Sequence, residues 1–151
     1  MSERDNFPAR ILARHVEAVE AAHNGDPSPF LDMWSTKDPV TLLGAVGPAL
    51  SGWERVTRRQ RSVFARFSDG TPVDFELVAS DLSGDLAYTV GYERSSFSVD
   101  GGPVEPHTLR VTHIYRRENG AWKLVHRHAD PASNTALDVL EADATSPAEP
   151  D

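Results

Sequence analysis

LRVTHIYRRENGAWKLVHRHADP, residues 109–131, reads as two β-strands joined at Asn119-Gly120, the strongest short hairpin signal a sequence offers. A two-residue turn there sets Glu118 opposite Ala121. Partners then follow as Arg117 with Trp122, Tyr115 with Leu124, His113 with His126, Val111 with His128 and Leu109 with Asp130. In this register Val111, His113, Tyr115, Trp122, Leu124, His126, His128 and Asp130 share one face. Arg110, Thr112, Ile114, Arg116, Lys123, Val125 and Arg127 share the other. The first face is the more apolar and is expected to be the concave, helix-covered side. Three histidines and a carboxylate would then point inward within one patch. Such a patch has three readings. It can be core histidines bonded to Tyr115, Asp130 or backbone, a pocket wall that handles ligand protons, or a zinc site; the chain carries no HExxH motif. We take His113, His126 and His128 as candidate catalytic residues, with Val111, Tyr115 and Asp130 beside them as ligand contacts and no metal.

Upstream of this hairpin the period is also two. Val73, Phe75, Leu77 and Ala79 alternate with polar neighbours, as do Leu86, Tyr88, Val90 and Tyr92, and Asp100-Gly101-Gly102 turns the chain into the hairpin's first strand. Tyr88 and Tyr92 on the apolar face become candidate ligand contacts, with Tyr92 favoured over Glu93 for the inward parity. Before Asp69 the period is helical. A first helix is predicted from Pro8 to His23, with Leu12, His15, Val16, Val19, Ala22 and His23 as its stripe. A short second helix follows Ser28-Pro29, then a short strand Val40–Leu43, a glycine-rich stretch, and a third helix from Trp53 to Phe67. Along this third helix Arg55, Arg58, Arg59, Arg61 and Arg66 mostly face solvent. Trp34 and Trp53 flank the glycine-rich stretch and are candidate pocket-rim residues. Asp38, before Pro39, reads as a turn former. The class is therefore α+β, with helices gathered on one face of a curved antiparallel sheet.

The 151 residues suffice for one core. No cysteine is present, which excludes disulfides, thiolate metal sites and cysteine nucleophiles. The net charge of −8 argues against a nucleic-acid partner. No apolar run has the length of a membrane helix, so a cytoplasmic protein with no membrane partner is expected. Residues 132–151 form an acidic tail, expected to be largely disordered or to hold one short helix within Asn134–Ala142, with Thr145–Asp151 disordered; residues 1–131 form the single domain. The outward Thr112, Ile114 and Val125 suggest a homodimer through the sheet. Arg110, Arg116 and Arg127 oppose it unless acids of the partner meet them.

The order of elements, together with DPVTLLGAVGPALSGWERV (38–56), LAYTVGYER (86–94) and the hairpin sequence, resembles the SnoaL-like members of the nuclear-transport-factor-2-like superfamily, which also holds ketosteroid isomerases. The resemblance covers Phe7–Pro131, so that the domain is read as SnoaL-like. It implies a cone, in which a strongly curved antiparallel sheet wraps the N-terminal helices and one long helix and leaves a ligand pocket at its open end. The isomerase aspartate is missing, since counting back from Ser51-Gly52 gives Leu43 or Gly44. What matches is W-K-x-V-H-x-H at Trp122, Lys123, Val125, His126 and His128. The resemblance implies a small-molecule ligand, mostly apolar and oxygenated. It implies an acid/base isomerase, cyclase or dehydratase without a cofactor, or else a non-catalytic ligand-binding or dimeric assembly domain.

Overall fold

The computed structural model describes residues 2–133 and 136–143. Helix α1 (Glu3–His23) starts earlier than Pro8, because Ser2 and Asp5 form a reciprocal capping box and Pro8 is absorbed inside the helix. Phe7, Ile11, His15, Ala18, Val19, Ala22 and His23 are its buried face. Helix α2 (Ser28–Met33) buries Phe30 and Met33. Strand β1 (Thr41–Leu43) pairs with β2 (Leu50–Ser51). Helix α3 (Trp53–Phe64) then buries Val56, Thr57 and Gln60. Its first N–H is satisfied from a distance, since the Trp53 amide donates to Asp38 Oδ1 at 2.8 Å. The helix stops short of Phe67 because Phe67–Ser68 leave it as strand β3, paired with Val99 and Ser98.

Strands β4 (Asp74–Ser83), β5 (Leu86–Val99), β6 (Glu105–Glu118) and β7 (Ala121–Pro131) supply the rest of the sheet. The strand order is β2-β1-β7-β6-β5-β3, with β4 also on β5; all pairs are antiparallel except β1 with β7. This strongly curved sheet closes on the N-terminal helices as an α+β cone. Phe7, Phe30, Met33, Trp34, Tyr115 and Leu124 are among the largest side chains of the core. Helix α4 (Val139–Asp143) lies on the tail, where Leu137, Val139 and Leu140 are exposed. Asn134, Thr135 and the segment 145–151 assigned to disorder lie outside the described residues.

Two sequence expectations about side-chain direction are overturned. The β6–β7 pairing follows the predicted register from Glu118/Ala121 to Tyr115/Leu124 and then slips. Val125 is an extra residue, and beyond it Ile114 faces His126, His113 faces Arg127, Thr112 faces His128 and Arg110 faces Asp130. A β-bulge of this kind places two consecutive side chains on one side, here Leu124 and Val125, both buried, and inverts the parity of everything that follows. His126, His128 and Asp130 therefore move to the outer face, and Arg127 moves in. On β5 the apolar set Leu86, Tyr88, Val90, Tyr92 faces outward, and Ala87, Thr89, Gly91 and Glu93 face inward and are buried. Inward space there is small. A Cβ on Gly91 would sit 2.2 Å from the Glu76 carbonyl oxygen and 2.7 Å from the Phe75 ring.

Candidate functional site

The two inversions assemble a charged cluster inside the cone. Glu93 on β5 and Arg127 on β7 form a two-pronged ion pair, Nη1 to Oε2 at 2.7 Å and Nη2 to Oε1 at 3.0 Å, and are 3% and 9% exposed. His15 from α1 donates Nε2–H to Glu93 Oε2 at 2.6 Å. Arg127 Nη1 also donates to His113 Nε2 at 2.9 Å, and His113 Nδ1 lies 2.8 Å from the Tyr115 hydroxyl. A guanidinium only donates, so neutral His113 accepts at Nε2 and carries its proton on Nδ1. The His15 and His113 rings stack at 4.3 Å, Phe75 packs against His15 at 4.7 Å, and Arg127 lies over the Phe30 ring at 5.2 Å.

Electrostatics follow from this packing. Burial alone would raise the Glu93 carboxyl, but Arg127 and the two hydrogen-bond donors outweigh it and hold the group well below its ordinary value. Burial, reinforced by His15 and Arg127, holds His113 well below the usual imidazole range. Burial raises the Tyr115 phenol. Two polar atoms flanking His113 are unsatisfied. His15 Nδ1 is fully buried without a partner, and Thr89 Oγ1, across the strand pair from His113, lies beside the Tyr115 phenol without a hydrogen bond of good geometry. One atom each of His15, Glu93 and His113 lie within 4.8 Å of one another, the donor set of a metal centre. The Arg127 guanidinium, bonded to both Glu93 and His113, already supplies the cation for that space.

Of the predicted site residues, the structure brings His113, Tyr115 and Val111 to the inner face, all buried. His126 is half-buried on the outer face, its Nδ1 2.7 Å from the Thr41 hydroxyl, and burial together with His128 lowers its pKa. His128 is exposed, 3.7 Å from an Asp130 oxygen, and Asp130 is itself held by Arg110. Tyr88 is exposed, and Tyr92 lies under Arg94 at 4.8 Å. With Val78, Val90, Arg110 and Thr112, the residues Tyr92, His128 and Asp130 line a shallow outer cleft of about 380 Å³. Trp34 and Trp53 line a separate cleft of about 290 Å³ beside α2 and α3. The sequence-based assignment missed Glu93, Arg127, His15 and Thr89. His15 was visible in the α1 stripe and Glu93 as the alternative to Tyr92, but nothing in an alternating pattern marks the bulge that turns Arg127 inward.

Comparison with known proteins agrees with this architecture. The profile of the SnoaL-like domain matches residues 11–132. A candidate dehydratase of the NTF2-like family from Streptomyces avermitilis superimposes with a TM-score of 0.69 at 23% identity, covering 86% of this chain and 99% of that one. An NTF2-like superfamily protein from Salmonella enterica gives 0.64 at 16% identity, over 82% and 87%. A candidate calcium/calmodulin-dependent protein kinase II association domain from Thiobacillus denitrificans gives 0.57 at 20%, over 85% and 91%. In sequence, the F-box protein SKIP8 of Arabidopsis thaliana is 26% identical over 97 residues, 64% of this chain; the match spans only 38% of that relative's length. With the profile spanning nearly the whole sheet and most of α1, the chain belongs to the SnoaL-like domain family.

Proposed function

We propose that this domain performs acid/base chemistry on a small, largely apolar, oxygenated ligand, as an isomerase, cyclase or dehydratase would, with the Glu93–His15 pair as its base. The observation that carries the reading is His15 Nδ1, buried and unpartnered on a ring whose other nitrogen is fixed by a carboxylate. In the neutral imidazole this leaves one lone pair without a hydrogen-bond donor from the protein, free to take a proton from a bound substrate. Glu93 orients the ring and would stabilise the imidazolium that forms. Arg127 has five N–H donors, three of them engaged, and the Tyr115 hydroxyl stands nearby; both suit an oxygen that gains negative charge. Arg127 is the most exposed member of the cluster, so ligand approach is assigned to its side.

Enolisable ketones and β-hydroxy ketones incubated in D₂O provide the test, read by NMR as deuterium incorporation or loss of water. Turnover should fall at least roughly a hundredfold in His15→Gln and in Glu93→Gln. Ligands that raise the melting temperature of the wild type without ever exchanging a proton would support the non-catalytic alternative.

A homodimer through the outer sheet face is the second element of the proposal, and a specific observation favours it. Arg110, Arg94 and Arg116 are each paired within the same chain, with Asp130, Glu76 and Glu118, and Arg127 has left that face. The cationic obstacle read from the sequence is thus neutralised, while Val78, Leu86 and Tyr88 remain exposed.

A further inference from the structure

We infer a second ligand site, for an aromatic carboxylate, in the cleft between α2, the start of α3 and the start of β7. The cleft, about 290 Å³, suits a bicyclic ring bearing one anionic group. Trp34 is its floor. It is a core side chain, 2% exposed, and its Nε1–H is turned onto Gln60 Oε1 at 2.7 Å, so it offers the cleft no free donor. Trp53, half-buried at the first position of α3, is a wall.

Two cations stand at the rim without a carboxylate. The Arg61 guanidinium makes neither a hydrogen bond nor an ion pair among the described residues. Lys123 Nζ makes only a 3.3 Å contact with the Asp32 carbonyl. Seven other cations of the chain, Arg4, Arg66, Arg94, Arg110, Arg116, Arg117 and Arg127, are ion-paired. Unpaired positive charge is concentrated here, because Arg55, Arg58 and Arg59 on the same helix also lack acidic partners among the described residues. Neither rim cation lies over the half-buried Trp53 ring, which remains available for stacking; the cation over an indole elsewhere is Arg117, on Trp122. Asp32 is the cleft's acid, exposed and more than an ion-pair distance from both rim cations. Aromatic surface with unpaired cations at its edge recognises a ring by stacking and its carboxylate by charge, the guanidinium offering a two-pronged fit.

The experiment uses 1-naphthoate as the probe and 1-naphthalenemethanol as its neutral counterpart, with the three indole N–H signals followed by ¹H–¹⁵N NMR on the full chain. Naphthoate should shift Trp53 and Trp34 and leave Trp122, which packs on Phe7 and Arg117, unmoved. It should bind about tenfold more tightly than the alcohol, and added salt should erase that margin. The double variant Arg61→Gln/Lys123→Gln should lose the same factor while keeping its melting temperature, since both heads are at the surface. Absence of any Trp53 or Trp34 shift at millimolar naphthoate, equal affinity for the two probes, or undiminished binding by the folded double variant would each overturn the inference.

Discussion

Glu93 and Arg127 illustrate how a residue's worth depends on its partner. Replacing Glu93 by Leu leaves a guanidinium in the interior with one histidine acceptor, a change expected to cost about 3–5 kcal/mol. Arg127→Met should cost a similar amount through the stranded carboxylate. The double variant Glu93→Leu/Arg127→Met should be far more stable than the sum of the two losses, because it strands no charge; urea denaturation of the three variants measures the coupling. Additive losses would mean that the two side chains are not paired. The buried histidines set the pH response. His23 is pushed down to about 4 by burial, and His113 is also held well below its ordinary value. Below about 6.5 the unfolded chain binds protons that the folded one refuses, so stability falls with pH, by up to ~1.4 kcal/mol per pH unit for each such histidine. The carboxylate of Glu93 adds its own loss only at lower pH, as the solution falls through the unfolded carboxyl range near ~4.3 toward its depressed folded value. Melting temperatures from pH 7 to 5 should therefore drop first through the imidazoles, and His23→Phe should flatten that limb.

At the scale of elements, the sequence carried the strands and turns, because alternation and Asn119-Gly120 are local signals. The helices were legible in number and order, while their ends moved wherever a distant partner decided them, as with Ser2 capping α1 or β5 drawing Phe67 out of α3. Inward and outward faces were not legible on β5 and on β7 beyond Leu124. On β5 the bulky side chains were excluded by Phe75 and the β4 backbone, whereas on β7 one inserted residue reversed the phase. Gly91 tests the first cause. Gly91→Ala places a methyl where the Glu76 carbonyl stands, and on the order of 2–4 kcal/mol of stability should be lost; a loss under ~1 kcal/mol would show that β4 yields freely. The site was legible only as a histidine-bearing hairpin: of its three candidate catalytic residues, His113 alone joins the inner cluster.

The whole molecule presents its apolar surface unevenly. Val78, Leu86 and Tyr88 are exposed on the sheet's outer side, and Leu137, Val139 and Leu140 on the tail. Light scattering at micromolar concentration should give twice the chain mass if the outer face pairs with a second copy, and Tyr88→Glu should return it to the monomer. Removing residues 133–151 should change stability by less than about 1 kcal/mol, as the described tail side chains bury so little; a larger loss would reveal that α4 packs in solution.

The position of β7 in the strand order bears on how the chain is made. It lies between β6, its antiparallel hairpin partner, and β1, far earlier in the sequence and parallel to it. On the ribosome β1 and β6 are both synthesised before the strand that must fill the gap between them. The growing chain then holds two open sheet edges and a Glu93 carboxylate without its guanidinium. Closure waits for translation to pass Pro131 and for that residue to leave the exit tunnel. Nascent chains ending at Gly120 and tethered by a linker long enough to bring β6 clear of the tunnel should therefore be cut readily by protease across β5 and β6, and resistance should emerge in one step once β7 is free.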